Sequence, residues 1–136
     1  METSLTEHPN AALVRKAFDD WATGRASFYD ILAPDAVWTI PGTSPHCGTW
    51  HSREAFLTDM VRPFLSCFST FSFTVRKIWT DGDTVAVHWD SQATDRDGRP
   101  YSNAYVYVIA LEGGFATSVT AFLDMVAFND VWNRFL

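Results

Sequence analysis

The second half of the chain alternates apolar and polar residues with the period of two that belongs to β-strands. Three runs, Val85–Ala93, Tyr101–Leu111 and Thr117–Leu123, are separated by the turn signals Asp95-Arg96-Asp97-Gly98 and Glu112-Gly113-Gly114. With the stretch before them they predict four long strands, Phe71–Thr80, Thr84–Thr94, Arg99–Leu111 and Phe115–Asp124, the first two joined by a tight turn at Asp81-Gly82-Asp83. The first half changes period. Leu13, Val14, Ala17, Phe18 and Trp21 recur at helical spacing over Asn10–Thr23, with Asn10 or Thr6 as the N-cap and Gly24 as the stop. A helical turn at Ser27–Leu32 leads through Pro34-Asp35 to a strand at Ala36–Ile40, and residues 41–48 have the composition of a loop. Ser52 can cap a second helix, Arg53–Phe64, which Pro63 should kink or end near Asp59–Arg62. Met125–Leu136 can form a short terminal helix.

Helices first and a meander of long antiparallel strands afterwards describe an α+β domain. Strands of this length accumulate twist, so the sheet should curl, and the amphipathic helices should close its concave side. The expected product is a single domain over residues 1–136, with its core at about 10–132 and a cone-shaped pocket lined by alternate residues of each strand.

Alternation also assigns faces. His88, Asp90 and Gln92 share one face of their run; Asn103, Tyr105 and Tyr107 share a face of the next; Thr120, Phe122 and Asp124 share a face of the last. Polar groups set among Val, Ile, Phe and Trp suit a pocket floor better than a solvated face. Val85, Val87 and Trp89 make the opposite face of the first run apolar as well, so periodicity alone leaves open whether His88 and Asp90 point into the pocket or outward. Trp38, Trp50, Phe18 and Trp21 are candidate apolar wall, with ordinary core as the alternative for each.

Composition narrows the partners. Nearly half the residues are hydrophobic and 15% are aromatic, which suits one well-packed core. A net charge of -6 with scattered basic residues argues against a nucleic-acid partner. Two cysteines, Cys47 and Cys67, do not make a disulfide framework, and His8, His46, His51 and His88 lack metal-ligand spacing, so neither metal nor cofactor is expected. With no apolar run long enough for a membrane span and no signal-peptide pattern at the start, a cytoplasmic protein is the expectation. Val85, Val87, Trp89, Val106 and Val108 form an apolar set expected on the outer sheet face, where a second copy would cover it as a homodimer.

The order of elements and several local strings resemble the SnoaL-like branch of the nuclear transport factor two-like superfamily. The strings are Leu32-Ala33-Pro34-Asp35-Ala36-Val37-Trp38, Pro41-Gly42-Thr43-Ser44-Pro45 with Gly48, Arg53-Glu54-Ala55, Asp97-Gly98-Arg99-Pro100-Tyr101 with Asn103 and Tyr105, and Phe122-Leu123-Asp124. Ser52, where a Gly is usual, and Phe115, where Lys or Arg is usual, depart from the pattern. The resemblance implies a cystatin-like α+β barrel, and a superfamily that includes ketosteroid isomerases, polyketide cyclases and limonene epoxide hydrolase. The steroid-isomerase branch carries a carboxylate in the first strand; Trp38-Thr39-Ile40-Pro41 has none, so that mechanism lacks its base here. The epoxide-hydrolase branch implies His88 and Asp90 facing Asp124, with His in place of Arg, and the cyclase branch implies Asp124 as the acid/base.

Two functions follow as expectations. One is a cofactor-independent enzyme acting on a small apolar, polyketide- or terpenoid-like molecule by cyclisation, isomerisation, dehydration or epoxide hydrolysis. Asp124 would be its acid/base, His88 and Asp90 its proton partners, and Asn103 and Tyr105 its hold on a substrate oxygen. The other is a non-catalytic binding module with the same pocket, in which Asp124 caps the helix that follows it.

Overall fold

The alternating runs build six strands of one curved sheet that does not close into a barrel. The computed structural model describes residues 7–136. Along the chain lie α1 (Pro9–Ala22), a 3-10 turn (Phe28–Ile31), β1 (Leu32–Ile40), β2 (Gly48–Trp50), α2 (residues 53–65), β3 (Phe68–Asp81), β4 (Thr84–Asp95), β5 (Pro100–Glu112), β6 (Phe115–Leu123) and α3 (Met125–Phe135). The strand order is β2-β1-β6-β5-β4-β3, with β1 and β6 parallel and every other pair antiparallel. Beyond the expected strands, β1 starts at Leu32, β3 starts at Phe68, and the loop over residues 41–48 ends in the short β2.

α1 differs from expectation in its cap, and α2 is distorted just ahead of Pro63. α1 is capped by His8, whose Nδ1 accepts from the Asn10 N–H at 3.1 Å, with Pro9 opening the helix; Asn10 is inside it and Thr6 lies outside the described residues. In α2, Arg53–Phe56 and Arg62–Leu65 are α-helical and Leu57–Val61 forms a π-turn, with the Arg62 N–H bonded to the Leu57 carbonyl. Pro63 has no N–H to give Asp59 and its ring crowds that carbonyl, so the wider turn absorbs the misfit. Of the two expectations at Pro63, a kink or an end, the helix is distorted before the proline and runs on to Leu65. Ser52 earns its place by capping: its Oγ accepts from the Ala55 N–H at 3.0 Å.

Register decides which residues face the helices. In β4 and β5, Trp89 pairs with Tyr105 and Ser91 with Asn103; in β5 and β6, Tyr105 pairs with Leu123 and Val106 with Phe122. Cross-strand partners share a face. Val85, Val87, Trp89, Ser91, Tyr101, Asn103, Tyr105, Tyr107 and Ile109 are all buried on the inner side. α1 packs onto this side through Phe18, whose ring lies 5.4 Å from Trp89 and 4.6 Å from Phe28, and through Trp21, stacked on Phe73 at 4.4 Å. Val14 and Phe18, both fully buried, each contribute roughly 1.5–3 kcal/mol by leaving water.

The far end of the sheet is pinned by Asp95. Its carboxylate is fully buried and accepts from the backbone N–H groups of Asp97 and Arg99, both at 2.9 Å, and from Arg134 Nη2 at 2.8 Å. One side chain thus shapes the β4–β5 turn and ties it to α3. Gly98 closes that turn at φ +85°, where a side chain would be strained.

Candidate small-molecule pocket

The inner sheet face and the three helices enclose a cavity of about 60 Å³, lined by Trp21, Tyr29, Met60, Phe64, Phe71, Trp89, Tyr105, Tyr107, Leu123 and Phe128 among others. A cavity that holds benzene is about 150 Å³, so an organic ligand must widen this one. A groove of about 360 Å³ lies beside β3 and shares Trp21, Leu65 and Phe71 with the cavity. Those three side chains border both spaces.

The lining is nearly all carbon, and its polarity comes from tyrosine. All four tyrosines of the chain are buried. Burial pushes the Tyr29 hydroxyl up to about 12, a shift that the neighbouring Tyr107 tempers. Burial likewise holds Tyr105 and Tyr107 well above the ordinary value and raises Tyr101. Near neutral pH these phenols are protonated, so they donate hydrogen bonds and do not act as bases. Tyr105 Oη is 2.9 Å from Ser91 Oγ and 3.3 Å from Tyr101 Oη. The Trp89 ring stacks on Tyr105 at 3.8 Å and 10°, and its buried indole N–H has no partner among the described residues.

The residues singled out from the sequence divide into those inside and those outside. Tyr105, Tyr107 and Trp21 line the cavity. Phe18 and Trp38 are buried core: Trp38 stacks on Phe56 at 4.2 Å, and neither borders the cavity. Trp50 is half-buried, set edge-on to Phe56 at 5.4 Å, and is likewise not cavity wall. Asn103 is buried on the inner side, but its amide is spent on Tyr101 and on the backbone of Asp124 and Ala104.

Three placements correct the expectation. His88 and Asp90 point to the convex face, because the register aligns them with Val106 and Ala104 and not with Asn103 and Tyr105. There Asp90 pairs with Arg76 at 2.6 Å, and His88 Nε2 lies 3.5 Å from Asp90 Oδ1. Phe122 is 47% exposed on the same outer side, opposite Val106, and is not pocket wall. Val85, Val87 and Trp89, expected on the outer face, are inside, while Val106 and Val108 are on the outer side and half-buried.

Asp124 is exposed at the end of β6, where its Oδ1 accepts from the N–H groups of Val126 at 2.9 Å and Ala127 at 3.3 Å. It caps α3 and does not line the cavity. No group of three or more His, Cys, Asp or Glu residues is placed to hold a metal ion among the described residues, and no described helix is long and apolar enough to cross a membrane.

Sequence reasoning missed Ser91, Tyr101, Trp89 and Tyr29. Tyr101 was within reach, since it continues the Asn103, Tyr105, Tyr107 alternation by one step, whereas Ser91 and Trp89 follow only from the cross-strand register. Tyr29 sits in a 3-10 turn, which carries no such periodic signal.

Comparison with known proteins gives one family and a set of solved folds. The family model described as a SnoaL-like domain matches residues 14–119. No curated protein matches the chain. An NTF2-like protein of unknown function from Burkholderia pseudomallei superposes with a TM-score of 0.76 at 22% identity, covering 92% of this chain and 98% of that one. IdmH from Streptomyces antibioticus, a candidate polyketide cyclase, superposes with a TM-score of 0.72 at 22% identity, covering 93% and 99%. TerC, co-crystallised with polyporic acid, superposes with a TM-score of 0.73 at 18% identity, also covering 93% and 99%.

Proposed function

We propose that this chain, which belongs to the SnoaL-like domain family, binds a small, flat, mostly apolar molecule with a carbonyl or similar oxygen, and performs cyclase- or isomerase-type chemistry on it. The observation that carries the reading is the cavity itself: a lining of aromatic and aliphatic side chains, among which the polar groups are those of buried, protonated tyrosines. An apolar body would fill the space against Trp89 and Phe71, and its oxygen would take a hydrogen bond from Tyr105. A donor held in a dry site stabilises negative charge as it develops on an enolate or a closing ring, and one such donor is worth ~10²–10³ in rate. Asp124 is the acid/base of this reading, acting from the rim next to the cavity residue Leu123. The candidate polyketide cyclase IdmH supports a polyketide-like substrate class, and the co-crystal of TerC with polyporic acid shows a small molecule held by a similar fold.

A second reading, a binding module without chemistry, is favoured by one observation. Among the described residues no carboxylate or imidazole lines the cavity, so a base would have to reach in from outside it. A native mass spectrum of the purified protein, followed by turnover measurements on the molecule it carries, separates the two. A bound apolar molecule that is converted, and converted at least tenfold more slowly by Tyr105→Phe, supports the enzyme. A bound molecule that is never converted supports the module.

The proposal extends to assembly and place. Phe122, Val106 and Val108 give the outer face an apolar patch suited to a second copy packing sheet against sheet. The unpaired thiols of Cys47 and Cys67 suit a reducing compartment such as the cytoplasm.

A further inference from the structure

The hydrogen bonds around Asn103 have a direction that can be read without seeing a proton. Asn103 Oδ1 receives the backbone N–H of Asp124 at 3.0 Å and of Ala104 at 2.8 Å. A backbone N–H can only donate, so these two contacts fix which end of the amide is oxygen. The other end, Nδ2, faces the Asp124 carbonyl at 3.0 Å and Tyr101 Oη at 2.7 Å. Nδ2 can only donate, so Tyr101 must accept, and its own proton turns to its remaining neighbour, Tyr105 Oη at 3.3 Å. Tyr105, receiving that bond, can give its proton to Ser91 Oγ at 2.9 Å, and its side chain also borders the cavity. Ser91 is fully buried, and Tyr105 is the only side chain bonded to its hydroxyl among the described residues.

We infer that Asn103, Tyr101 and Ser91 are positioning residues that orient a one-way hydrogen-bond chain whose last proton, that of Tyr105, is delivered to a ligand oxygen in the cavity. The inference rests on the reading of the cavity as a site for an oxygen-bearing apolar molecule. Ser91 is the swivel. With the cavity free of acceptors it receives the Tyr105 proton; when a ligand oxygen arrives, its hydroxyl rotates and donates back to Tyr105. The Tyr105 oxygen then accepts from both Tyr101 and Ser91, and bonds in such a chain polarise one another, so its donation to the ligand strengthens. Asp124 enters this arrangement through its backbone: its N–H and carbonyl hold the Asn103 amide, while its carboxylate holds α3. This explains why a buried asparagine sits beside the tyrosines without lining the main cavity.

The probe is acetophenone labelled with carbon-13 at the carbonyl, bound to the whole chain and followed by its infrared carbonyl stretch. The expected result is a shift to lower wavenumber on binding, relative to an apolar solvent, that is lost in Tyr105→Phe. Tyr101→Phe, which keeps the ring and removes the hydroxyl, should reduce the shift and weaken binding roughly threefold to tenfold, the worth of one hydrogen bond. Ser91→Ala should reduce the shift in the bound state by removing the second donor to Tyr105, and it carries the test if Tyr101→Phe fails to give a cooperative thermal transition. An unchanged shift in either folded variant, or a shift that survives Tyr105→Phe, overturns the chain while leaving the cavity as a binding site. Failure of acetophenone to bind the wild-type protein at all overturns the reading of the cavity, and the inference falls with it.

Discussion

Replacing Asp124 by asparagine and by alanine distinguishes a carboxylate that holds a helix from one that moves a proton. Oδ1 of Asp124 accepts from the Val126 and Ala127 N–H groups, which are two of the four donors left unsatisfied at the start of α3. Asparagine offers the same acceptor at the same reach, and it ranks with aspartate as an N-cap. It gives up only the attraction between a carboxylate and the helix N-terminus, about 0.3–1 kcal/mol at an exposed position. Alanine loses the acceptor as well, so the cost rises to about 1 kcal/mol, with an upper bound near 2. For a domain of this size 1 kcal/mol moves the melting temperature by roughly 3–6 °C. Thermal unfolding of the three proteins should therefore rank wild type, Asn and Ala, with Asn closer to wild type. Acetophenone affinity should be the same in all three, because the carboxylate lies outside the cavity lining. Equal melting of the Asn and Ala variants would refute the capping argument. Turnover of an identified substrate supplies the other half: loss of ~10²–10⁴ in the Asn variant at nearly unchanged stability would make Asp124 the acid/base, and unchanged turnover would end that role.

Other consequences concern pH and surface. Burial pushes the Asp95 carboxyl up, but the Arg134 guanidinium and the backbone N–H groups of Arg99 and Asp97 outweigh it and hold its pKa below the ordinary value. Its stabilisation is therefore complete above about pH 4, the unfolded value, and is lost as pH falls through the depressed folded value; acid unfolding followed by circular dichroism should be less steep in Asp95→Asn than in wild type. The tyrosines have the opposite sign: their pKa values are raised, so their contribution is intact below about pH 10 and is lost as pH rises through the folded values, which for Tyr29 is about 12. Tyrosinate absorbance should stay low above pH 10 and then appear together with loss of structure, whereas independent early titration of the phenols would contradict their burial. Phe122→Asp places a charge on the outer apolar patch; light scattering should show a wild-type dimer and a monomeric variant, and a wild-type monomer at high micromolar concentration would remove the proposed interface.

The strands were legible in the sequence because alternation survives in every long run, and the family strings agreed with them. The inward face was not, because β4 carries apolar residues on one side and a mixture on the other. Its assignment depends on the parity of the β4–β5 turn. Thr94 pairs with Pro100, so odd positions meet odd positions, and Trp89 and Ser91 share a face with Tyr105 and Asn103 while His88 and Asp90 do not. Within that turn the buried Asp95 carboxylate accepts from the N–H groups of Asp97 and Arg99, side-chain bonds that no periodicity contains. Asn103 and Tyr105 were legible as a polar pair within one strand, but the use of the Asn103 amide on the Asp124 backbone was not, since the two are joined only by the β5–β6 register. The capping alternative for Asp124 was legible from its place before a helix. Pro63 marked where the helix would depart from α-geometry, but the π-turn by which it does so was not legible.

A crystal structure of the protein soaked with acetophenone tests the central claim most directly. The ring should lie against Trp89 in the inner cavity, with Phe71 or Leu65 displaced to give it room and its oxygen within hydrogen-bond distance of Tyr105 Oη. Acetophenone found only on the outer face beside His88 and Phe122, with the inner cavity unchanged, would contradict it.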